Sequence, residues 1–192
     1  MPTPRILIFA GSTRAGSYNK QLARAATEAV RAAGAEASYV DLRDYPMPVY
    51  DGDLETEQGM PAHARSLREL FKGHHGFVIA SPENNASVSS ALKNTLDWIS
   101  RELDGESGLV PYSGKTALLL AASPGGLGGL RGLVHLRNIL NALQVFVLPG
   151  QLAVSAAHKA FGTDGKLADA RQQSTLESLC KQMVETTAKL IA

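Results

Sequence analysis

Arg5-Ile6-Leu7-Ile8-Phe9-Ala10-Gly11-Ser12-Thr13-Arg14-Ala15-Gly16-Ser17-Tyr18-Asn19 decides the class of this chain. Its first six residues form a near-continuous apolar run ended by glycine, the pattern of a strand buried on both faces. The period then changes. From Asn19 to Ala33, Leu22, Ala23, Ala26, Ala29, Val30 and Ala33 share one helical face, and Gly34 is the stop.

The same alternation continues through the chain. Ala37 to Leu42 reads as a second strand, and Leu67, Leu70 and Phe71 mark a second helix stopped near Gly73. Gly76 to Ala80 is a third buried strand. Leu92, Leu96, Ile99 and Leu103 face one way on a third helix, and Thr116 to Ala122 is a fourth strand. Leu133, Leu136, Leu140 and Leu143 give a fourth helix before a strand over Val145 to Leu148, and a last helix carries Leu176 to Leu190. Strands alternating with helices imply a parallel sheet with right-handed crossovers covering both faces. The expected architecture is a flavodoxin-like three-layer α/β/α domain over residues 1–192, with five parallel strands in the order 2-1-3-4-5. That order puts a switch point between strands 1 and 3, so ligands should meet the loops after Ala10 and Ala80, helped by the loop after Ala122. Arg43 to about Gly59 shows no clear period, which marks either a functional or interface loop or a mobile surface excursion.

Composition narrows the classes. At 192 residues the chain suits one α/β domain. Nineteen basic against eighteen acidic side chains give a net charge of +1, which supplies no overall pull toward nucleic acid or an anionic membrane. The apolar runs are too short to span a bilayer, and the early run is too short for a secretory leader. The single cysteine, Cys180, lies on an apolar helical stripe and reads as a buried thiol in a reducing compartment. A soluble, cytoplasmic protein is expected.

The first loop is dense in donors. Helix N-termini present unpaired N–H groups and partial positive charge, so they bind anions. Ser12, Thr13 and Ser17 add hydroxyls, Asn19 a carboxamide and Arg14 a cation, as the terminal oxygens of a phosphate monoester require. Gly11 and Gly16 have P-loop spacing, but Ser17-Tyr18 follows in place of Lys-Ser/Thr, which disfavours nucleotide triphosphate hydrolysis. The dinucleotide fingerprint is absent too. Side-chain hydroxyls suit a terminal phosphate, which points to FMN over FAD or NAD. Taken alone, the loop reads equally as an ordinary cap by Ser17 or Asn19, with Arg14 in solvent. After the third strand, Pro82 favours an extended exit, and Glu83, Asn84 and Asn85 offer a mixed donor and acceptor wall suited to a flavin's pyrimidine edge. Ser89 or Ser90 caps the next helix. The third loop, Ser123-Pro124-Gly125-Gly126 and onward to Gly129, permits backbone to approach a planar ligand closely. His74-His75 lack metal-ligand spacing, and no metal site is expected.

With these loops in hand, the chain resembles the NAD(P)H-dependent FMN reductase family, which includes quinone, azo-dye and chromate reductases. The carriers are Gly11 to Asn19, Pro82-Glu83-Asn84-Asn85, Leu92 to Trp98 and Ser123 to Arg131, over roughly residues 5 to 160. The resemblance implies that Ser12, Arg14, Ser17, Tyr18 and Asn19 hold the FMN phosphate and that Pro82, Glu83, Asn84 and Asn85 line the isoalloxazine. Ser123, Pro124, Gly125 and Gly126 would lie beside the ring and ribityl chain. It also implies a homodimer or homotetramer, with Pro46 to Asp51 reaching toward the neighbouring subunit's site. The chain departs from the family pattern at Asn84, usually Tyr, at Ala86, usually Gly, and at Ser89-Ser90, usually Pro-Gly.

The implied activity passes hydride from NADPH or NADH to the flavin and then to a quinone or similar small acceptor. The flavin carries the hard chemistry, so no catalytic acid or base is assigned. No local 2′-phosphate signature separates NADPH from NADH. The alternative is a flavodoxin-type electron carrier that binds FMN and docks to protein partners, for which a marked acidic charge is expected and absent.

Overall fold

The structure is a computed structural model that describes residues 2–192. Its centre is β1 (Arg5–Ala10), whose Ile6 to Phe9 are wholly buried because helices cover both sheet faces. β1 pairs in parallel with β2 (Glu36–Asp41) on one side and β3 (Gly76–Ala80) on the other. β6 (Thr116–Ala122) and β7 (Phe146–Val154) complete the five-stranded sheet, in the order β2-β1-β3-β6-β7. The expected 2-1-3-4-5 order is therefore present, with a switch point at β1 and β3.

α1 (Tyr18–Ala32) and α6 (Ala170–Leu190) cover one face, where Ile6, Ile8, Leu22, Val30, Val78 and Cys180 share a core. The other face belongs to α3 (Ala62–Gly73), α4 (Ser90–Ile99) and α5 (Leu130–Ala142), packed over Leu7, Phe9, Phe77 and Leu119. Cys180 is buried and free, and that burial pushes its thiol pKa up to about 12. It is inert packing.

Four details differ from the expectation. The last strand does not end at Leu148. It continues through Pro149-Gly150, shifts register between Ala117 and Leu119, and pairs its Gln151 to Val154 with the end of β6. An edge strand tolerates a proline without an N–H, so this punctuation marks an irregularity instead of a stop. The third helix ends at Ile99, where the buried guanidinium of Arg68 donates to the Ile99 carbonyl; Leu103 lies beyond it and bridges back to Glu106. The 43–59 stretch holds a short helix, α2 (Gly52–Gln58), opened by Asp51, whose side chain accepts from the Asp53 amide.

It is not a loose excursion either. Asn94 and Trp98 of α4 both donate to the Pro48 carbonyl at 2.9 Å, and Asn94 accepts from the Tyr50 amide at 2.8 Å. Trp98 is wholly buried, so its indole N–H needs such a partner.

The fourth difference is a two-stranded hairpin after β3, formed by β4 (Glu83–Asn84) and β5 (Ser87–Val88). Asn85 and Ala86 turn it with φ of 50° and 62°. Two left-handed residues in succession are the type I′ turn that right-handed strand twist prefers, and its second position favours glycine. Ala86 bears that strain, which relief by glycine should more than recover against the added unfolded-state entropy. Ala86→Gly is expected to raise stability by about 0.5–1 kcal/mol. A thermal melt showing loss of stability would place the strain elsewhere.

Candidate functional site

A crevice of about 610 Å³ opens at the carboxyl ends of β1, β3 and β6, within the ordinary range of roughly 300–1,000 Å³ for small-molecule sites. A second groove, of about 640 Å³, lies between α1 and α6. The first is the functional candidate because three loops converge polar groups on it at the switch point. It brings together Ser12, Arg14, Ser17, Tyr18, Asn19, Pro82, Glu83, Asn84, Ser123 and Pro124. Asn85 sits at the hairpin turn, and Asn85, Gly125 and Gly126 do not line the crevice. Ser90 and Ala91, at the start of α4, do line it and were not among the expected contacts. Their signal was available as a helix start beside the second loop.

At the first loop, Ser17 stands at the N-cap of α1, but its side chain makes no capping bond. It is 3% exposed and lines the crevice. A hydroxyl left uncommitted and open to the crevice, beside the amides of Tyr18 and Asn19 at the start of α1, is what a bound phosphate would complete. Arg14 is exposed, stacks its guanidinium 5.5 Å from the Tyr18 ring centre, and forms no ion pair among the described residues. These residues fit a phosphate monoester.

Two expected ligand groups are engaged elsewhere. The Asn19 carboxamide donates to the Ala122 carbonyl and accepts from the Ala122 amide, both at 2.9 Å. It closes the end of β6 onto α1. Abandoning those buried partners costs roughly 1–3 kcal/mol per group left unpaired, so Asn19 faces the crevice chiefly through its backbone.

Glu83 is likewise committed. Its carboxylate accepts from the Arg131 and Gly132 amides at the start of α5 and from the Arg131 guanidinium, with Nε at 2.8 Å. Its side chain is 9% exposed. The crevice thus meets the hairpin's backbone and Asn84 more than a free carboxylate.

The third loop's glycines also act differently from the expectation of ligand approach. A Cβ on Gly128 would lie 2.7 Å from Val154 backbone, and one on Gly129 2.8 Å from the Ala121 Cβ. Both glycines have positive φ and serve packing against the sheet.

One cation escaped the sequence reading. Lys20, in the first turn of α1, is 2% exposed at its side chain and lies 2.7 Å from Asp41 at the end of β2, an ion pair without hydrogen-bond alignment. Helical periodicity gave no reason to look for an acidic partner there.

The comparisons with known proteins give the chain its family. Residues 4–159 match the NADPH-dependent FMN reductase family, and the chain belongs to it. It is an oxidoreductase working with FMN and a nicotinamide reductant. A quinone reductase of Escherichia coli K12 is 34% identical over 181 residues, covering 93% of this chain and 91% of that protein. An NAD(P)H-dependent FMN reductase of Pseudomonas aeruginosa is 32% identical, covering 90% and 89%. Among solved structures, a flavoenzyme NAD(P)H:acceptor oxidoreductase from Paracoccus denitrificans superposes with a TM-score of 0.83, at 21% identity and 97% and 98% coverage. That likeness speaks to the fold.

Burial works to raise the Glu83 pKa, but hydrogen bonds from Arg131 and the Gly132 amide outweigh it, and the net shift is downward. A depressed carboxylate contributes stability that is present above its unfolded pKa and lost as pH falls through the folded value. The stability contributed by this carboxylate should therefore begin to fall below about pH 4.3, the ordinary glutamate value, and be lost as pH drops through the lower folded value. Glu83→Gln should be less stable at pH 7 and show a smaller loss on acidification. Urea melts at pH 7 and pH 3.5 with equal losses for both proteins would remove the link.

Proposed function

We propose that the chain is an NAD(P)H:quinone oxidoreductase in which Ser17, Arg14, Ser12 and the first-turn N–H groups of α1 hold the FMN phosphate. Pro82, Glu83 and Asn84 form the wall beside the ring, and Ser123 and Pro124 lie beside the ring and ribityl chain. The Ser17 hydroxyl, uncommitted in a residue only 3% exposed and open to the crevice, is the observation that carries this reading. When bound, FMN supplies the redox chemistry between nicotinamide and acceptor.

The chain's own part is binding and orientation. Among the side chains lining the crevice, Glu83 is held to α5 by Arg131 and Gly132, and Arg14 stacks on Tyr18. Thr13, Arg14, Asn84, Ser90 and Pro124 are exposed around the rim, leaving room for a planar substrate to enter from solvent. A quinone or similar small acceptor suits that open approach.

The protein should purify yellow or take up FMN, and should oxidise NADH or NADPH with a quinone and no added reductase. Arg14→Ala should weaken FMN binding by about tenfold or more, since a charge-assisted hydrogen bond is worth roughly 1.5–3 kcal/mol. Absent FMN uptake overturns the cofactor site, whereas FMN uptake without quinone-dependent turnover favours the electron carrier.

The working unit is a single domain over residues 1–192, joined as a homo-oligomer in the cytoplasm. Val49 supports the oligomer: it is 81% exposed on a segment that α4 pins, and Leu127, Leu130 and Val134 are also exposed. The unpaired, buried Cys180 accords with a reducing compartment. Light scattering should give at least a dimer, and Val49→Asp should shift it toward monomer; a wild-type monomer at micromolar concentration rejects the assembly.

A further inference from the structure

Ser89 is more than a helix cap. Its Oγ accepts from the Leu92 amide at 3.1 Å, which caps α4. The same oxygen donates its proton to the carbonyl of Gly11 in the first loop. The direction is forced, because the Leu92 N–H takes a lone pair and a carbonyl can only accept. Ser89 is 5% exposed, so neither bond is readily replaced by water.

Gly11 has no other freedom here. Its amide donates to Ala80 at 2.9 Å, extending the β1–β3 ladder by one residue. A Cβ on Gly11 would lie 2.9 Å from the Leu92 Cβ. The start of the first loop therefore rests on the first turn of α4, with the Ser89 hydroxyl as the polar link between them.

We infer that Ser89 is a positioning residue that fixes the phosphate-binding loop relative to the hairpin and α4, and so sets the spacing between the two ends of the FMN site. The inference rests on the FMN reading above. A ligand that touches both loops gains when their spacing is preset, because binding then pays no ordering cost. A ligand that touches only one end gains nothing.

The test compares FMN with riboflavin, which lacks the phosphate. Ser89→Ala removes the link. Ser89→Pro removes it while keeping a backbone that suits proline, since φ is −70° and the residue's amide makes no hydrogen bond. Ser89→Thr retains both the cap and the donor. Ile99→Val trims a buried methyl from the same helix without touching the first loop, and sets the baseline for lost stability alone.

Fluorescence titration should show FMN bound at least tenfold more weakly by the Ala and Pro variants. Riboflavin affinity should stay within about twofold, and Thr should recover FMN binding. The visible circular dichroism of bound FMN should change in the Ala variant and return in the Thr variant. The inference is overturned if Ala binds FMN within threefold of wild type, if riboflavin weakens by the same factor as FMN, or if Ile99→Val loses as much FMN affinity as Ala does. Wild type that binds no FMN at all overturns the cofactor reading instead, so the two failures are distinct.

Discussion

The position of β1 between β2 and β3 is the constraint from which the site follows. The connection to β2 crosses one face through α1, and the connection on to β3 crosses the other through α3. Right-handed crossovers allow no other arrangement. Chain leaving β1 and chain leaving β3 therefore part company at the sheet's carboxyl edge. The gap between them cannot be filled by either crossover, and the N-terminus of α1, with the amides of Tyr18 and Asn19, faces it. The fold creates an unmet need for an anion where it also creates a crevice.

Divergent loops would be poor ligand positioners if each were tied only to its own strand. Three buried or half-buried side chains prevent that by spending their polar groups between loops. Asn19 joins α1 to the end of β6, Ser89 joins the first loop to α4, and Glu83 joins the hairpin to α5. Each makes at least two bonds, and at least one in every case goes to a backbone group. Backbone partners do not vary with sequence, so such braces hold geometry without dictating which side chains line the crevice.

This division explains what was legible. Strand order could be read because Ile6 to Phe9, Phe77 to Ala80 and Ala117 to Ala121 are apolar without alternation, and only a doubly covered sheet buries both faces of a strand. The location of the crevice followed from that order. The roles of Asn19 and Glu83 did not follow, because a carboxamide or carboxylate near a site looks the same in sequence whether it faces ligand or a distant amide. Their partners, Ala122 and Arg131, lie 103 and 48 residues away. The hairpin was hidden for a different reason: Asn85-Ala86 lacks the glycine that marks a type I′ turn. Likewise Pro149-Gly150 looked like a strand end, although an edge strand absorbs it.

The two ends of the crevice place unequal demands on the chain. The phosphate end depends on backbone N–H groups, the small Ser17 and one flexible cation, so the first loop must keep its shape closely. The hairpin needs only to hold its backbone against α5, where a Cβ on Gly132 would already crowd the Ser87 carbonyl at 3.1 Å. Its outward residues are free of that demand. Asn84 and Asn85 are exposed, and Asn84 reaches the crevice from the solvent side. The Asn84 carboxamide there offers hydrogen-bonding capacity at the entrance and leaves the anchor intact. A scaffold built in this way can change what enters the crevice while leaving unchanged what the α1 N-terminus holds.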